Sequence, residues 1–354
     1  MRIKKTFLFV FFLCLQGYSL AQFLKAPPDG DNQQSVVIQR IGNVAEVKVS
    51  YSSPNVDGRK GKIWNQLVPF DQVWRAGANE NTIIAFSHDV IIEKQKLPAG
   101  TYGLFMIPEK EEWTVIFSSN STSWGTFVYN KDEDVLRIKA KPSQHQFTEW
   151  LTFDFVERNP SNCVLALKWE NISLPIKVEF DIHSIVLNSF QKQLDGAIGL
   201  FNYEGALQAA KYCLDHEVSL EQGLKWIDLS VSIGANFSNL IVKSNLLEKL
   251  GRISDSRKAY ESALLLGTPQ ELYYHGRDLI VQEKQKEALS VLKYNYTRFG
   301  GEVWPTHLGL GRIYQAMNEN KKALNHYEKA LKIAKLPRQK KSLKKLIQEV
   351  LKDQ

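Results

Sequence analysis

The chain has 354 residues, 44% apolar and 23% charged, a globular composition that excludes a disordered or collagen-like chain and leaves room for two domains. Its net charge of +7 is unevenly placed: residues 22–183 hold 17 Lys/Arg and 20 Asp/Glu, net −3, and residues 184–354 hold 25 and 18, net +7. Residues 321–354 alone carry 11 basic and 3 acidic side chains; this tail reads as the solvated face of a terminal helix, or as a contact with a membrane surface or an acidic partner, and the absence of a nucleic-acid motif speaks against nucleic acid as that partner.

The chain opens on a targeting segment. Arg2, Lys4 and Lys5 precede an apolar run over residues 7–15 that is too short to span a bilayer. Ser19-Leu20-Ala21 then places small residues where a signal peptidase reads. The expectation is a signal peptide over 1–21 cleaved after Ala21, a linker over 22–34, and a periplasmic or secreted mature protein. Cleavage leaves Cys163 and Cys213, too few for a disulfide framework, so the fold must rest on its core.

Residues 35–183 have the period of strands. Ala45, Val47, Val49 and Tyr51 alternate with Val44, Glu46, Lys48 and Ser50. Short β-branched or aromatic runs follow at 82–86, 90–92, 102–107, 113–117, 135–138, 151–155, 164–169 and 176–180. Turn signals such as Ser53-Pro54-Asn55 and Pro98-Ala99-Gly100 separate them. The pattern predicts an all-β antiparallel sandwich, with a barrel as the alternative.

Within this stretch, Trp74-Arg75-Ala76-Gly77-Ala78-Asn79-Glu80 is the most suggestive segment. Small residues at 76–78 would leave the backbone open between a cation, an amide and a carboxylate. Arg75 and Glu80 would form either a structural ion pair that fixes the loop, or part of a polar-ligand site in which Glu80 acts as a base. Arg59 is a further cation for such a site. Trp113 alternates like a core residue, and Trp124, in a polar run, is the freer aromatic for a sugar platform. Asn130-x-Asp132-x-Asp134 lacks the turn glycine and distal Glu of a calcium loop. The seven histidines show no metal-ligand spacing, and no His-Glu-x-x-His, Cys-x-x-Cys or Gly-x-Ser-x-Gly occurs. No metal, cofactor or catalytic residue is therefore assigned; a non-enzymatic scaffold is the leading expectation, and an envelope enzyme or a glycan- or small-ligand-binding protein using the Arg75–Glu80 loop is the alternative.

Several longer blocks carry a resemblance: Tyr51-Ser52-Ser53-Pro54-Asn55-Val56, Val73-Trp74-Arg75-Ala76-Gly77-Ala78-Asn79-Glu80, Leu97-Pro98-Ala99-Gly100-Thr101-Tyr102 and Glu133-Asp134-Val135-Leu136-Arg137. On these, residues 35–180 resemble the bacterial family known as domain of unknown function 2911. The resemblance implies an exported envelope protein and carries no activity, ligand or catalytic residue.

From residue 185 the period becomes helical. Leu310-Gly311, Tyr314, Ala323, Tyr327 and Ala330 fit the tetratricopeptide pattern. The small residue at Ala323 has counterparts at Ala288, Ser256 and Gly223, so residues 184–354 are predicted to be an all-α array of tetratricopeptide-like hairpins with a basic C-terminal cap. In that register the first helices line a concave face with Tyr212, Asn245, Tyr273, Arg277, Leu308 and Arg312. Amide and guanidinium groups in a row suit an extended peptide from an envelope partner.

Overall fold

The computed structural model describes residues 32–196 and 199–352; the leader and its cleavage site lie outside the described residues. The chain divides into two compact units between Asp181 and Ile182.

Among the described residues the first unit has ten strands: β1 Gln33–Ile41, β2 Ala45–Ser53, β3 Thr82–Phe86, β4 Val90–Ile92, β5 Gln95–Leu97, β6 Gly100–Ile107, β7 Trp113–Ser118, β8 Asp134–Ala140, β9 Ser143–Arg158 and β10 Asn162–Phe180. They form two antiparallel sheets, ordered β1-β2-β3-β6-β7-β8 and β5-β4-β10-β9. Neither closes on itself, so the sandwich holds and the barrel does not. Alternation sets the faces: in β2, Ala45, Val47, Val49 and Tyr51 are buried and Lys48 is exposed. Tyr51 meets Phe153 of the opposite sheet edge to face at 5.0 Å. A tryptophan cluster fills one end of the core, with Trp64 4.9 Å from Trp113 and 5.8 Å from Trp169, and Trp74 stacked on Trp169 at 6.1 Å. Trp113 is thus a core residue. Strand β1 begins inside the stretch expected to be linker, and β9 begins at Ser143 rather than 151. Their polar, partly exposed ends show no apolar run to read.

The second unit is helical: α1 Ile182–Leu194, α2 Tyr203–His216, α3 Leu220–Ile233, α4 Phe237–Lys249, α5 Ile253–Leu266, α6 Pro269–Val281, α7 Gln285–Phe299, α8 Trp304–Ala316, α9 Asn320–Ile333 and α10 Pro337–Lys352. Helix starts follow local chemistry. Asn236 with Asn239, and Thr268 with Glu271, form capping boxes, and Pro269 opens α6. The helices pair as α2/α3, α4/α5, α6/α7 and α8/α9. The small residues Gly223, Ser256, Ala288 and Ala323 fall on the second helix of each pair, and all are buried. Close approach explains the small side chain: a Cβ on Gly223 would stand 2.7 Å from Cys213 Cβ, and on the facing first helix of the last pair a Cβ on Gly311 would run into the Tyr327 ring. Each hairpin completes its core on the next, and α10 closes the last with Leu343 and Val350. Among the described residues no helix is long and apolar enough to cross a membrane.

Candidate functional site

The segment after Trp74 is fastened at both ends. Trp74 exchanges backbone hydrogen bonds with Met106 at 2.7 and 2.8 Å, and its indole Nε1 donates to Gly77 O at 3.2 Å. Ala78 N donates to Ser52 O at 3.1 Å, and Thr82 Oγ1 donates to Ala76 O at 2.9 Å. Gly77 is required by contact, because a Cβ there would lie 2.8 Å from Thr82 Oγ1 and 3.0 Å from Ser52 O. The expectation of an open backbone at 76–78 is therefore corrected: these small residues are buried against β2 and β3. Ala76 and Asn79 sit at φ 53° and 56°, a left-handed conformation that the surrounding bonds impose.

The expected Arg75–Glu80 ion pair does not form among the described residues; Glu80 is exposed, and its carboxylate accepts only a long bond, 3.5 Å, from Ser52 Oγ. Arg75 is half-buried, its Nε is sealed from solvent, and no acceptor in the described chain takes it. Burial holds this guanidinium below its usual pKa range. Asn79 Nδ2 is likewise buried without an acceptor. The indole N–H groups of Trp64 and Trp169 also lack oxygen partners, but their rings meet edge to face, where an N–H can rest on a π face. Arg75 has no such substitute.

A second loop lies alongside. Asn81 N donates to Ser123 O at 3.0 Å and Gly125 N to Asn79 O at 3.1 Å, so Glu80 and Trp124 pair like strand residues. This loop presents Trp124 and Phe127, 61% and 86% exposed, their planes 11° apart and centroids 6.5 Å apart. Gly125 lies between loop and cation: a Cβ there would be 3.2 Å from the Phe127 ring and 4.0 Å from Arg75 Nη1. Arg75, Asn79, Glu80 and Trp124 are thus brought together. Arg59 is not. Its Nε and Nη2 donate to Val56 O and Asn55 O, both at 2.9 Å, and clamp the turn after β2. Sequence reasoning missed Phe127 because Phe127-Val128-Tyr129 is a short apolar run, the signature of buried residues.

In the helical unit the predicted row divides. Asn245 and Arg277 are exposed, and Tyr212 and Arg312 are half-buried. Tyr273 and Leu308 are corrected: both are buried in the core that Tyr327 and Leu343 complete. Helix α8 is packed against α6, α7 and α9, so most of its positions are internal. The hydroxyl of Tyr273 accepts from Arg312 Nε at 3.0 Å and steadies that guanidinium. Arg277 lies 5.0 Å from the centroid of the exposed Tyr274 ring and pairs with Asp278 at 3.2 Å.

Residues 32–178 match the family described as Protein of unknown function (DUF2911). Residues 305–335 match a tetratricopeptide repeat, the α8/α9 hairpin. No curated protein matches the chain. Among solved structures, a crystal structure of MamA aligns at 14% identity over 42% of this chain and 87% of its own, with a TM-score of 0.28. A second, MamA 41-end from Desulfovibrio magneticus RS-1, aligns at 16% identity over 43% and 94%, with a TM-score of 0.26. At these scores the likeness adds nothing to the geometry.

The tetratricopeptide-like array holds two further features with the look of sites. A cavity of about 320 Å³ lies among α3, α4 and α5. Its charges are already paired, Lys243 with Asp228 at 2.8 Å and Asp255 with both Arg252 and Lys258 at 3.6 and 3.4 Å. His307 and His326 face each other with Nδ1 atoms 2.9 Å apart. Burial, then His307 and Lys329, push His326 down to about 4, so the pair is neutral at ordinary pH and one ring donates to the other. Among the described residues no third His, Cys, Asp or Glu joins any such group to hold a metal.

Proposed function

We propose that this protein is an exported, non-enzymatic scaffold whose helical array holds an extended segment of a partner protein. The tetratricopeptide match and the buried small residue in each hairpin support an interaction scaffold. The observation that carries the finer reading is the row Asn245, Arg277 and Arg312 on the first helices. Asn245 and Arg277 are exposed, and Arg312 is oriented by Tyr273 with its terminal nitrogens left for a carboxylate. The ion pair of Arg277 with Asp278 is a surface pair and yields readily to a better acceptor.

The test is binding of acidic, extended peptides and of envelope proteins to the mature protein, wild type against Arg277→Ala/Arg312→Ala. A loss of about tenfold or more is expected for the removal of two charge-assisted bonds. Capture of the same partners with unchanged affinity refutes the groove. Export itself is tested by intact mass, which should begin at Gln22; a cytoplasmic protein retaining Met1 would refute it.

The basic helix α10 supports a weaker surface role. Its apolar side chains Leu343 and Val350 are buried in the array, so contact with an anionic membrane would be made by Arg338, Lys340, Lys341 and Lys344 without insertion.

A further inference from the structure

The β unit carries chemistry that the scaffold reading leaves unused. We propose that the paired loops 75–81 and 120–127 bind a saccharide that bears a carboxylate. Arg75 has no counter-charge, and nothing in the described chain accepts from its Nε. A structural arginine in a half-buried place is normally claimed by carbonyls or a carboxylate, as Arg59 is here. The Nε itself is covered. The terminal nitrogens are neither bonded nor sealed, so they are the atoms a ligand meets, and a planar guanidinium takes a carboxylate through two parallel bonds.

The neighbouring groups narrow the class. Glu80 is exposed and loosely held. As an acceptor it suits hydroxyl groups and repels a compact polyanion, so free phosphate is a poor fit. Trp124 and Phe127 present large, nearly parallel ring faces to solvent beside the cation. They contribute little to the core where they stand. The C–H face of a pyranose covers such rings, while its hydroxyls and carboxylate reach Glu80 and Arg75. Main-chain bonds between the loops, and Asn81 Nδ2 donating to Asn120 O at 3.1 Å, hold these groups in place before any ligand arrives.

This site is independent of the helical array, so each reading stands or falls separately. The mature chain would be titrated calorimetrically with defined oligouronides (galacturonate, guluronate and glucuronate series), with neutral oligosaccharides of equal length and with inorganic phosphate. Tryptophan emission would report on Trp124. Binding of at least one acidic series is expected, with neutral sugars and phosphate much weaker. Arg75→Met should weaken it about ten- to a hundredfold while the melting temperature stays the same or rises, because no partner is lost. Trp124→Ala should weaken it too, with the fold intact. Absence of binding across all acidic series would overturn the proposal. So would equal binding of neutral sugars or phosphate, or undiminished binding by a folded Arg75→Met protein.

Discussion

Acid should loosen the helical unit through one histidine pair, and the size of the effect follows from its surroundings. His307 of α8 and His326 of α9 share a hydrogen bond between Nδ1 atoms at 2.9 Å. Tyr314 stacks on His326 at 5.6 Å, Tyr296 lies 5.2 Å from His307, and Lys322 sits over Tyr314. Burial and the charge of Lys329 disfavour protonation of both rings, and Glu302 opposes this only at His307. His326 is lowered to about 4. A folded-state pKa below the unfolded value means the unfolded chain takes up the proton first as pH falls. The stability is therefore complete above about pH 6.5 and is lost progressively toward pH 4. At about pH 4.5, His326 alone should cost about 2.5 kcal/mol. For a unit of this size that is a fall of about 5–10 °C in melting temperature. The assay is a far-ultraviolet circular dichroism melt at about pH 7.5 and about pH 4.5, for wild type and for His326→Phe, which keeps a ring on Tyr314. Carboxylates elsewhere contribute equally to both proteins. The acid-induced loss should therefore be smaller in the variant by about 2 kcal/mol. An identical loss in both proteins refutes the assignment.

Two further outcomes are expected. Glu80→Gln should change stability by no more than about 1 kcal/mol in chemical denaturation, because Glu80 is exposed and does not pair with Arg75; a loss of about 3 kcal/mol or more would mean a buried pair after all. Gly311→Val should destabilise the array by about 1–3 kcal/mol, since the new Cβ meets a Tyr327 ring whose hydroxyl is held by Gln315 at 2.6 Å; urea unfolding of the variant measures it, and an unchanged midpoint would show that the ring moves aside.

Much of the fold was legible because period reports burial directly. The alternation from Ala45 to Tyr51 is the alternation of buried and less buried faces in β2. The recurring small residues marked the second helix of each hairpin, because only a small side chain fits between closely packed helices. The site was less legible. The residues of the 75–80 segment were visible, but their roles were not. Small residues there could mean an open backbone or a tightly packed one, and only contact with Ser52 and Thr82 decides for packing. A cation and a carboxylate five positions apart could pair or separate, and backbone turned left-handed at Ala76 and Asn79 leaves them unpaired.

By itself, then, the sequence determined the two kinds of unit, the hairpin register and the tail of positive charge, since each is a local pattern repeated along the chain. Tertiary structure alone decided which side chains are available. Tyr273 and Leu308 stand one turn before Arg277 and Arg312 on the same expected face, yet the packing of α8 among its neighbours puts them in the core while Arg277 stays exposed. The loop that carries Trp124 and Phe127 comes to stand beside Arg75 only because it pairs through its backbone with residues 79–81. Availability depends on what lies across a contact, and residues distant along the chain carry no mark of that until the chain folds.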